Sequence, residues 1–376
     1  KNIGFDGDCP FPILFICKKF CVMKKHNFSA GPCILPDAVM QQAGAAVQEL
    51  DNSGLSLIEI SHRSPAFIDI MERACQLALE LLGLEGKGYK ALFLQGGAST
   101  QFLATAYNLL EAKGAYLNTG TWSSKAIKEA KLLGEVVEVA SSADANFNYI
   151  PKGFSVPSDA DYLHITTNNT IFGTQIKQIP ETDSVLVSDS SSDIFSRQLD
   201  FSKFGIIYAG AQKNMGPAGT TLVVVKESVL GHVSRKIPSM LDYAIHASKD
   251  SMFNTPPVFA VYTSMLTLQW LKDLGGIAEI EKRNEAKAAL MYAEIDRNPL
   301  FKGFAAVEDR STMNATFTLE EEALKNTFNT MSADAGINGI NGHRSVGGYR
   351  ASMYNALPLE SVQVLVDVMK ELERIA

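Results

Sequence analysis

The chain has 376 residues, 46% apolar and 20% charged, with a formal net charge of −7 at pH 7. That length and composition describe a globular protein large enough for two domains. The acidic balance and the lack of a basic run exclude nucleic acid as the main partner, and no uninterrupted apolar stretch approaches the roughly 20 residues needed to span a membrane.

The first 22 residues stand apart. An apolar run, Phe11–Cys17, is followed by Lys18-Lys19, the reverse of the charge order in a secretory signal, and no small-residue cleavage site appears. We expect residues 1–22 to be a leader segment outside the native fold, with Met23 as the natural start. Of the five cysteines, that leaves Cys33 and Cys75. Two isolated cysteines suggest a reduced, cytoplasmic protein with no disulfide framework, and neither sits in a metal-ligand cluster.

Beyond the leader, helical patterns run over Asp37–Leu50, entered through Pro36, and over Pro65–Leu82, ending near Gly83. Strand patterns then recur at Tyr89–Leu94, Ala115–Thr119, Glu135–Ala140, Tyr162–Thr166, Val185–Asp189, Gly205–Tyr208 and Thr220–Val225. Strands alternating with helices predict an α/β fold around a mainly parallel seven-stranded sheet. The apolar helical pattern Val258–Leu271 places Trp270 in the core. After Gly275-Gly276, the helix Ile277–Ile295 is charged on one face, as a connector would be. Phe304–Leu319, Glu320–Gly336, Gly348–Tyr354 and Leu359–Ile375 then predict a smaller C-terminal α+β domain. The expected division is a large domain of residues 37–276 and a small domain of residues 277–376, to which the family resemblance below adds residues 24–36.

Three turns carry candidate chemistry. After Tyr89–Leu94 comes Gln95-Gly96-Gly97-Ala98-Ser99, followed by the amphipathic stretch Phe102–Leu110. Free N–H groups at such a helix start attract anions, and the small residues let a phosphate approach. Without Gly-Lys-Ser/Thr it is not a P-loop, and it is not a dinucleotide fingerprint. Trp122, one of two tryptophans, follows Gly120 in a polar turn, an odd place for a core residue but a suitable one for stacking on a flat ligand.

The third turn, Tyr208 to Gly219, sets Lys213 among small residues between two apolar strand candidates. An amine held close to backbone loses solvation, its pKa falls, and as a neutral nucleophile it forms a Schiff base with a carbonyl. Asp189 ends the strand pattern Val185–Asp189, at the carboxyl edge where ligands of open α/β sheets bind. Taken singly, Lys213 reads as a solvated turn lysine and Asp189 as a helix N-cap. Together, an aldehyde-capturing amine and a carboxylate able to hold a pyridine nitrogen protonated are the minimum equipment for pyridoxal phosphate (PLP) chemistry.

The chain resembles the phosphoserine aminotransferase family, within the class V, fold type I PLP enzymes. The likeness runs from Asn27-Phe28-Ser29-Ala30-Gly31-Pro32 through Ser61-His62-Arg63-Ser64, Gly96-Gly97 with Gln101-Phe102, and Thr119-Gly120 with Trp122. It continues in Asn168-Asn169-Thr170-Ile171, Asp189 with Ser191-Ser192, and Ala209-Gly210-Ala211-Gln212-Lys213-Asn214. It closes with Met252 to Pro257, Gly342-His343-Arg344, Gly347-Gly348 and Arg350-Ala351-Ser352. The resemblance implies that Lys213 carries PLP and shuttles the proton, that Asp189 pairs with the ring nitrogen, and that Trp122 stacks on the ring. It implies that Thr170 bonds the ring hydroxyl and that Ala98, Ser99 and Gln212 hold the cofactor phosphate. Asn254 and Thr255 would reach that phosphate from a second subunit, which makes a homodimer with shared sites the expected assembly. Some relatives place Arg between the turn glycines and Gln, where this chain has Ala98-Ser99-Thr100. Backbone donors do not depend on that side chain, so PLP affinity is expected to survive.

A phosphorylated amino acid presents a phosphate and an α-carboxylate, and the planar fork of arginine suits both. By resemblance, His62-Arg63 of the neighbouring subunit and His343-Arg344 bind the substrate phosphate, Arg350 takes the α-carboxylate, and Ser29 assists with glutamate. In isolation each His-Arg pair reads as a solvated surface dipeptide. The implied reaction converts O-phospho-L-serine and 2-oxoglutarate to 3-phosphohydroxypyruvate and L-glutamate in serine biosynthesis, with 4-phosphohydroxy-L-threonine of pyridoxine synthesis as a second substrate. A cysteine desulfurase is excluded, because it needs a cysteine downstream of the PLP lysine and all five precede Lys213. A glyoxylate transaminase needs no phosphate site, which leaves both His-Arg pairs unexplained. A PLP-binding protein without turnover is disfavoured by Lys213, Asp189 and Arg350 together.

Overall fold

The computed structural model describes residues 24–344 and 346–376, so the expected leader, residues 1–22, lies outside the described residues. In chain order, β1 (His26–Asn27) leads to α1 (Asp37–Gln48), α2 (Pro65–Leu81), β2 (Tyr89–Leu94), α3 (Gly97–Leu109), β3 (Lys113–Asn118), α4 (Thr121–Ala130) and β4 (Glu135–Ser141). Then follow β5 (Tyr162–Thr166), β6 (Asn168–Asn169), β7 (Thr174–Gln175), β8 (Val185–Asp189), β9 (Ile206–Gly210), α5 (Ala211–Asn214) and β10 (Thr221–Lys226). The rest comprises α6 (Tyr243–Ser248), α7 (Val258–Asp273), α8 (Gly276–Arg297), β11 (Phe301–Gly303), β12 (Asn314–Leu319), α9 (Lys325–Asp334), β13 (Ile337–Asn338), β14 (Tyr349–Ser352) and α10 (Leu359–Ile375).

Seven strands form one sheet in the order β2-β10-β9-β8-β5-β3-β4, and only β10 runs against its neighbours. The fold class is therefore the predicted α/β one. Its central strands are buried along their whole length, which is why they read as apolar runs rather than alternations. On one face Leu163, Ile165, Ile207 and Leu222 pack with Phe67, Met71 and Leu268 of α2 and α7. On the other Tyr116, Tyr162, Tyr208 and Val223 pack with Phe102 and Ile127 of α3 and α4. Ser64 caps α2 by accepting from Phe67 N, with Pro65 at the first helical position, a combination worth about 1 kcal/mol.

A further apolar cluster joins Met291 and Ile295 of α8, Phe317 of β12, and Leu365 and Met369 of α10. Phe28 belongs to it, and β1 pairs in parallel with β13, so the segment before α1 is tied to the C-terminal elements. Phe304–Leu319 is not one extended run: a short 3-10 turn at Val307–Asp309 precedes β12. Trp270 packs against the main apolar cluster and is partly buried, since its part of α7 also borders a surface cavity. No helix among the described residues is long and apolar enough to cross a membrane.

This framework sets the site in two ways. The β8 and β9 strands run parallel in register, so Asp189 at the end of β8 lies opposite Tyr208, with the Lys213 segment following at the same edge. The turn between β6 and β7 carries Thr170 and is clamped onto β12. Gly173 N donates to Asn169 O at 2.8 Å, and Thr316 Oγ1 donates to Phe172 O at 2.8 Å. Gly173 has φ +73°, and a Cβ there would run into Thr316 Oγ1, so this crossing requires glycine.

Candidate active site

Lys213 sits in the four-residue helix α5, where the small residues had suggested an irregular turn. Its Nζ donates to Thr170 Oγ1 at 2.9 Å and stands 5.4 Å from the Trp122 ring centroid. Burial pushes the amine down to about 8; Arg350 acts in the same direction, and Asp189 and Asp193 oppose it. The segment around Gly31 lies against this lysine: a Cβ on Gly31 would meet Lys213 Cγ at 3.4 Å, and Cys33 N donates to Gln212 O at 3.1 Å. The Cys33 thiol contacts the Lys213 carbonyl, and burial pushes it up to about 12, so it is a packing group and not a nucleophile.

Asp189 is 4% exposed. Its Oδ1 accepts from Ser191 N at 3.0 Å and from Ser191 Oγ at 2.6 Å. Burial raises its carboxyl, while Lys213 and the two bonds from Ser191 pull it back down. The hydroxyl of Ser191 also accepts from Gly210 N at 3.3 Å, which links the carboxylate to the end of β9. The sequence motif contained Ser191 but gave it no role; an Asx-type turn two residues after the aspartate is the signal that finds it.

The expected anion turn is built as a helix start. Gly96 (φ +98°) and Gly97 (φ +70°) turn the chain into α3, which begins five residues before the predicted amphipathic stretch. No side chain caps α3, so the N–H groups of its first turn, which includes Ala98 and Ser99, face outward for an anion. Trp122 lies in the first turn of α4, held by Ser123, whose Oγ accepts from Thr119 N and Gly120 N. Its indole Nε1 is buried with no hydrogen-bond partner among the described residues.

Arg350 on β14 reaches the same place. Its Nη1 donates to Thr170 O at 3.2 Å, so one threonine touches both Lys213 and Arg350. Its Nε is buried without a hydrogen-bond partner among the described residues, and burial lowers the guanidinium from its ordinary range. His343 and Arg344 are exposed on the preceding loop; the His343 imidazole is held below its usual range by burial, then by Arg350, Arg344 and Lys125.

One chain thus brings together Lys213, Thr170, Trp122 and Arg350, with Asp189 near enough to act on the Lys213 amine and His343 near enough to feel Arg350. Ser29 lies on the segment leading to Gly31, its N–H bonded to Asn27 Oδ1. His62, Arg63 and Asn254 make no side-chain hydrogen bond to this cluster among the described residues, and Arg63 and Asn254 are exposed. Thr255 is also exposed, and its carbonyl accepts from Gln95 beside the anion turn. Two cavities of about 630 and 620 Å³ lie elsewhere and contain none of the predicted site residues. Among the described residues no group of three or more His, Cys, Asp or Glu is placed to hold a metal.

The arrangement fits a flat pyridine aldehyde carrying a phosphate. It offers a buried carboxylate for a protonated ring nitrogen, an aromatic face, uncapped N–H groups for the phosphate, and an amine with a lowered pKa. The profile of the family described as Aminotransferase class-V matches residues 25–365. The chain belongs to this family. Among class-V relatives, the phosphoserine aminotransferase of Flavobacterium johnsoniae is 66% identical over 353 residues, covering 93% of this chain and 99% of the relative. The solved structure of phosphoserine aminotransferase from Bacillus circulans subsp. alkalophilus superposes with a TM-score of 0.91 at 42% identity, covering 94% of this chain and 99% of that one. That of PLP-bound phosphoserine aminotransferase from Trichomonas vaginalis gives 0.88 at 36% identity, covering 92% and 100%.

Proposed function

We propose that this class-V aminotransferase is a PLP-dependent phosphoserine transaminase, interconverting O-phospho-L-serine and 2-oxoglutarate with 3-phosphohydroxypyruvate and L-glutamate for serine biosynthesis. The observation that carries this reading is Thr170 joining Lys213 to Arg350 beneath the His343-Arg344 loop, in a chain that is 66% identical to a phosphoserine aminotransferase. PLP, when bound, supplies an electron sink for the pair released from the substrate Cα.

The chain's own groups do the rest. The Lys213 amine would hold the cofactor through its aldehyde carbon and would serve as the base that moves a proton at the substrate Cα. Thr170 Oγ1, within hydrogen-bonding distance of that amine, orients it beside the ring hydroxyl. Asp189, fixed by Ser191, holds the ring nitrogen protonated; the Trp122 ring covers one face. Ala98, Ser99 and Gln212 hold the cofactor phosphate. Arg350 fixes the α-carboxylate and His343-Arg344 the substrate phosphate, so that Cα–H points at Lys213. 4-Phosphohydroxy-L-threonine presents the same two charged groups with one more carbon between them, and is the second substrate of this reading. Adding O-phospho-L-serine to the PLP-loaded protein is expected to convert its visible absorption band to that of the aminated cofactor in one turnover. A band that ignores phosphoserine but responds to alanine would overturn this in favour of a glyoxylate transaminase.

We also propose a homodimer in which His62, Arg63, Asn254 and Thr255 complete the partner's site. Leu55 (50% exposed), Ile58 (63%), Phe253 (41%) and Phe259 (37%) flank these residues, a set of large apolar side chains that pairing would bury. Mixing and reassociating Lys213→Ala with Arg63→Ala, each inactive alone, is expected to restore about a quarter of wild-type activity, the fraction that random pairing into a two-fold dimer gives. No recovery would place both residues in one subunit's site. Separate apolar clusters support the division into residues 37–276 and 24–36 with 277–376. The free thiols Cys33 and Cys75 support a cytoplasmic location.

A further inference from the structure

Lys125 has no part in the site described so far, yet it stands at its edge. It lies three residues after Trp122 on α4, the spacing that puts two side chains on one helix face. Its Nζ is 4.6 Å from the Trp122 ring centroid, closer than the Lys213 Nζ at 5.4 Å over the same ring. Its field also reaches His343, together with those of Arg344 and Arg350, so α4 and the loop before β14 face a common space. Among the described residues Lys125 forms no ion pair, whereas Lys131, just past the end of the same helix, pairs with Glu138. Its charge is therefore available to a ligand.

The amount of charge identifies that ligand. An α-carboxylate carries one negative charge, which Arg350 alone satisfies in fork geometry. A phosphate monoester carries about −1.5 to −2 at pH 7 and three acceptor oxygens, more than a single fork satisfies, and Lys125 adds a cation beside Trp122 whose field meets those of Arg344 and Arg350 at His343. We propose that Lys125 is a specificity-determining residue that binds the substrate phosphate from the Trp122 side and so favours phosphorylated over unphosphorylated amino acids. The inference rests on the phosphoserine reading, and the test separates the two. Lys125 is exposed, so its substitution leaves the fold intact.

The experiment measures kcat/KM for phosphoserine and for glutamate in the holoenzyme and in its Lys125→Ala, Lys125→Arg and Lys125→Glu variants. Quenching of Trp122 fluorescence by inorganic phosphate gives a binding readout independent of turnover. In Lys125→Ala the phosphoserine-to-glutamate ratio is expected to fall about five- to tenfold, mostly through KM, the scale of one partly solvated charge-assisted contact. Phosphate binding should weaken by a similar factor. Lys125→Glu should fall further and Lys125→Arg should recover, and the differences should shrink as salt rises. An unchanged ratio in an enzyme that turns over phosphoserine overturns the role of Lys125 and leaves the function standing. An equal loss for both substrates also overturns it, assigning Lys125 to support of Trp122. A wild-type protein that ignores phosphoserine overturns both.

Discussion

Lys213→Ala is expected to lose transaminase activity by roughly ten-thousandfold or more, while the apo-protein keeps its fold and a melting temperature within about 4 °C of wild type. The loss is large because one side chain serves twice, as the covalent anchor of the cofactor and as the base at Cα; general-base catalysis alone is worth about 10²–10⁴-fold. The stability change is small because the amine is held by one hydrogen bond, to Thr170, and its burial already opposes the charged form. Single-turnover absorption with phosphoserine and a thermal melt check the two halves. Full turnover by this variant would remove Lys213 from the mechanism.

The same lysine sets a pH dependence. With the amine pushed down to about 8, about a tenth of folded molecules carry it neutral at pH 7, against roughly one in three thousand for a lysine near its ordinary value. The neutral form is the one that captures an aldehyde. The rate at which apo-protein captures PLP should therefore rise as pH increases from 6 and level off above about 8. Between about 8 and 10.5 the unfolded chain binds the proton that the folded chain has lost, so this group's contribution to stability rises with pH there.

Much of this was legible in one dimension. The β5, β8, β9 and β10 strands are buried on both faces, so they appear as unbroken apolar runs, and the residues at their carboxyl ends mark the site without knowledge of the packing. Asp189 and Lys213 belong to that class. The bond from Ser191 to Asp189 did not show itself, because it depends on a local turn that many sequences share. The link from Lys213 through Thr170 to Arg350 was hidden for a different reason. It requires the β6–β7 turn to meet β12 and β14, which lie more than a hundred residues further on, and no local pattern encodes that crossing. Lys125 carries no signal in the sequence; only its position over Trp122 and its field at His343 distinguish it. The helical state of Lys213 was missed because α5 has a single turn, too short for a period to appear.

Asp189→Asn separates the chemistry of the site from its stability in opposite directions. Asparagine has the same shape, and its Oδ1 can keep both bonds from Ser191 (3.0 and 2.6 Å). What changes is the other end of the group, where an N–H donor replaces a carboxylate oxygen. A donor there favours an unprotonated ring nitrogen and removes the charge that keeps the electron sink effective, so the half-reaction with phosphoserine should slow by about a thousandfold, the scale of removing one preorganised electrostatic partner. The apo-protein should be no less stable than wild type at pH 7. A carboxyl raised by burial binds more protons folded than unfolded, so its contribution to stability falls as pH rises through the window just above 3.8, and the neutral side chain escapes that cost. Asp189 is also the largest influence holding the Lys213 amine up against burial. Without it the midpoint for PLP capture should move below about 8, the reverse of what a general loosening of the site would do, since access to water returns a lysine toward its ordinary value. Slowed turnover with an unshifted or raised midpoint would mean that the substitution disturbs the site's packing, and an unchanged half-reaction rate would mean that Asp189 does not face the ring nitrogen.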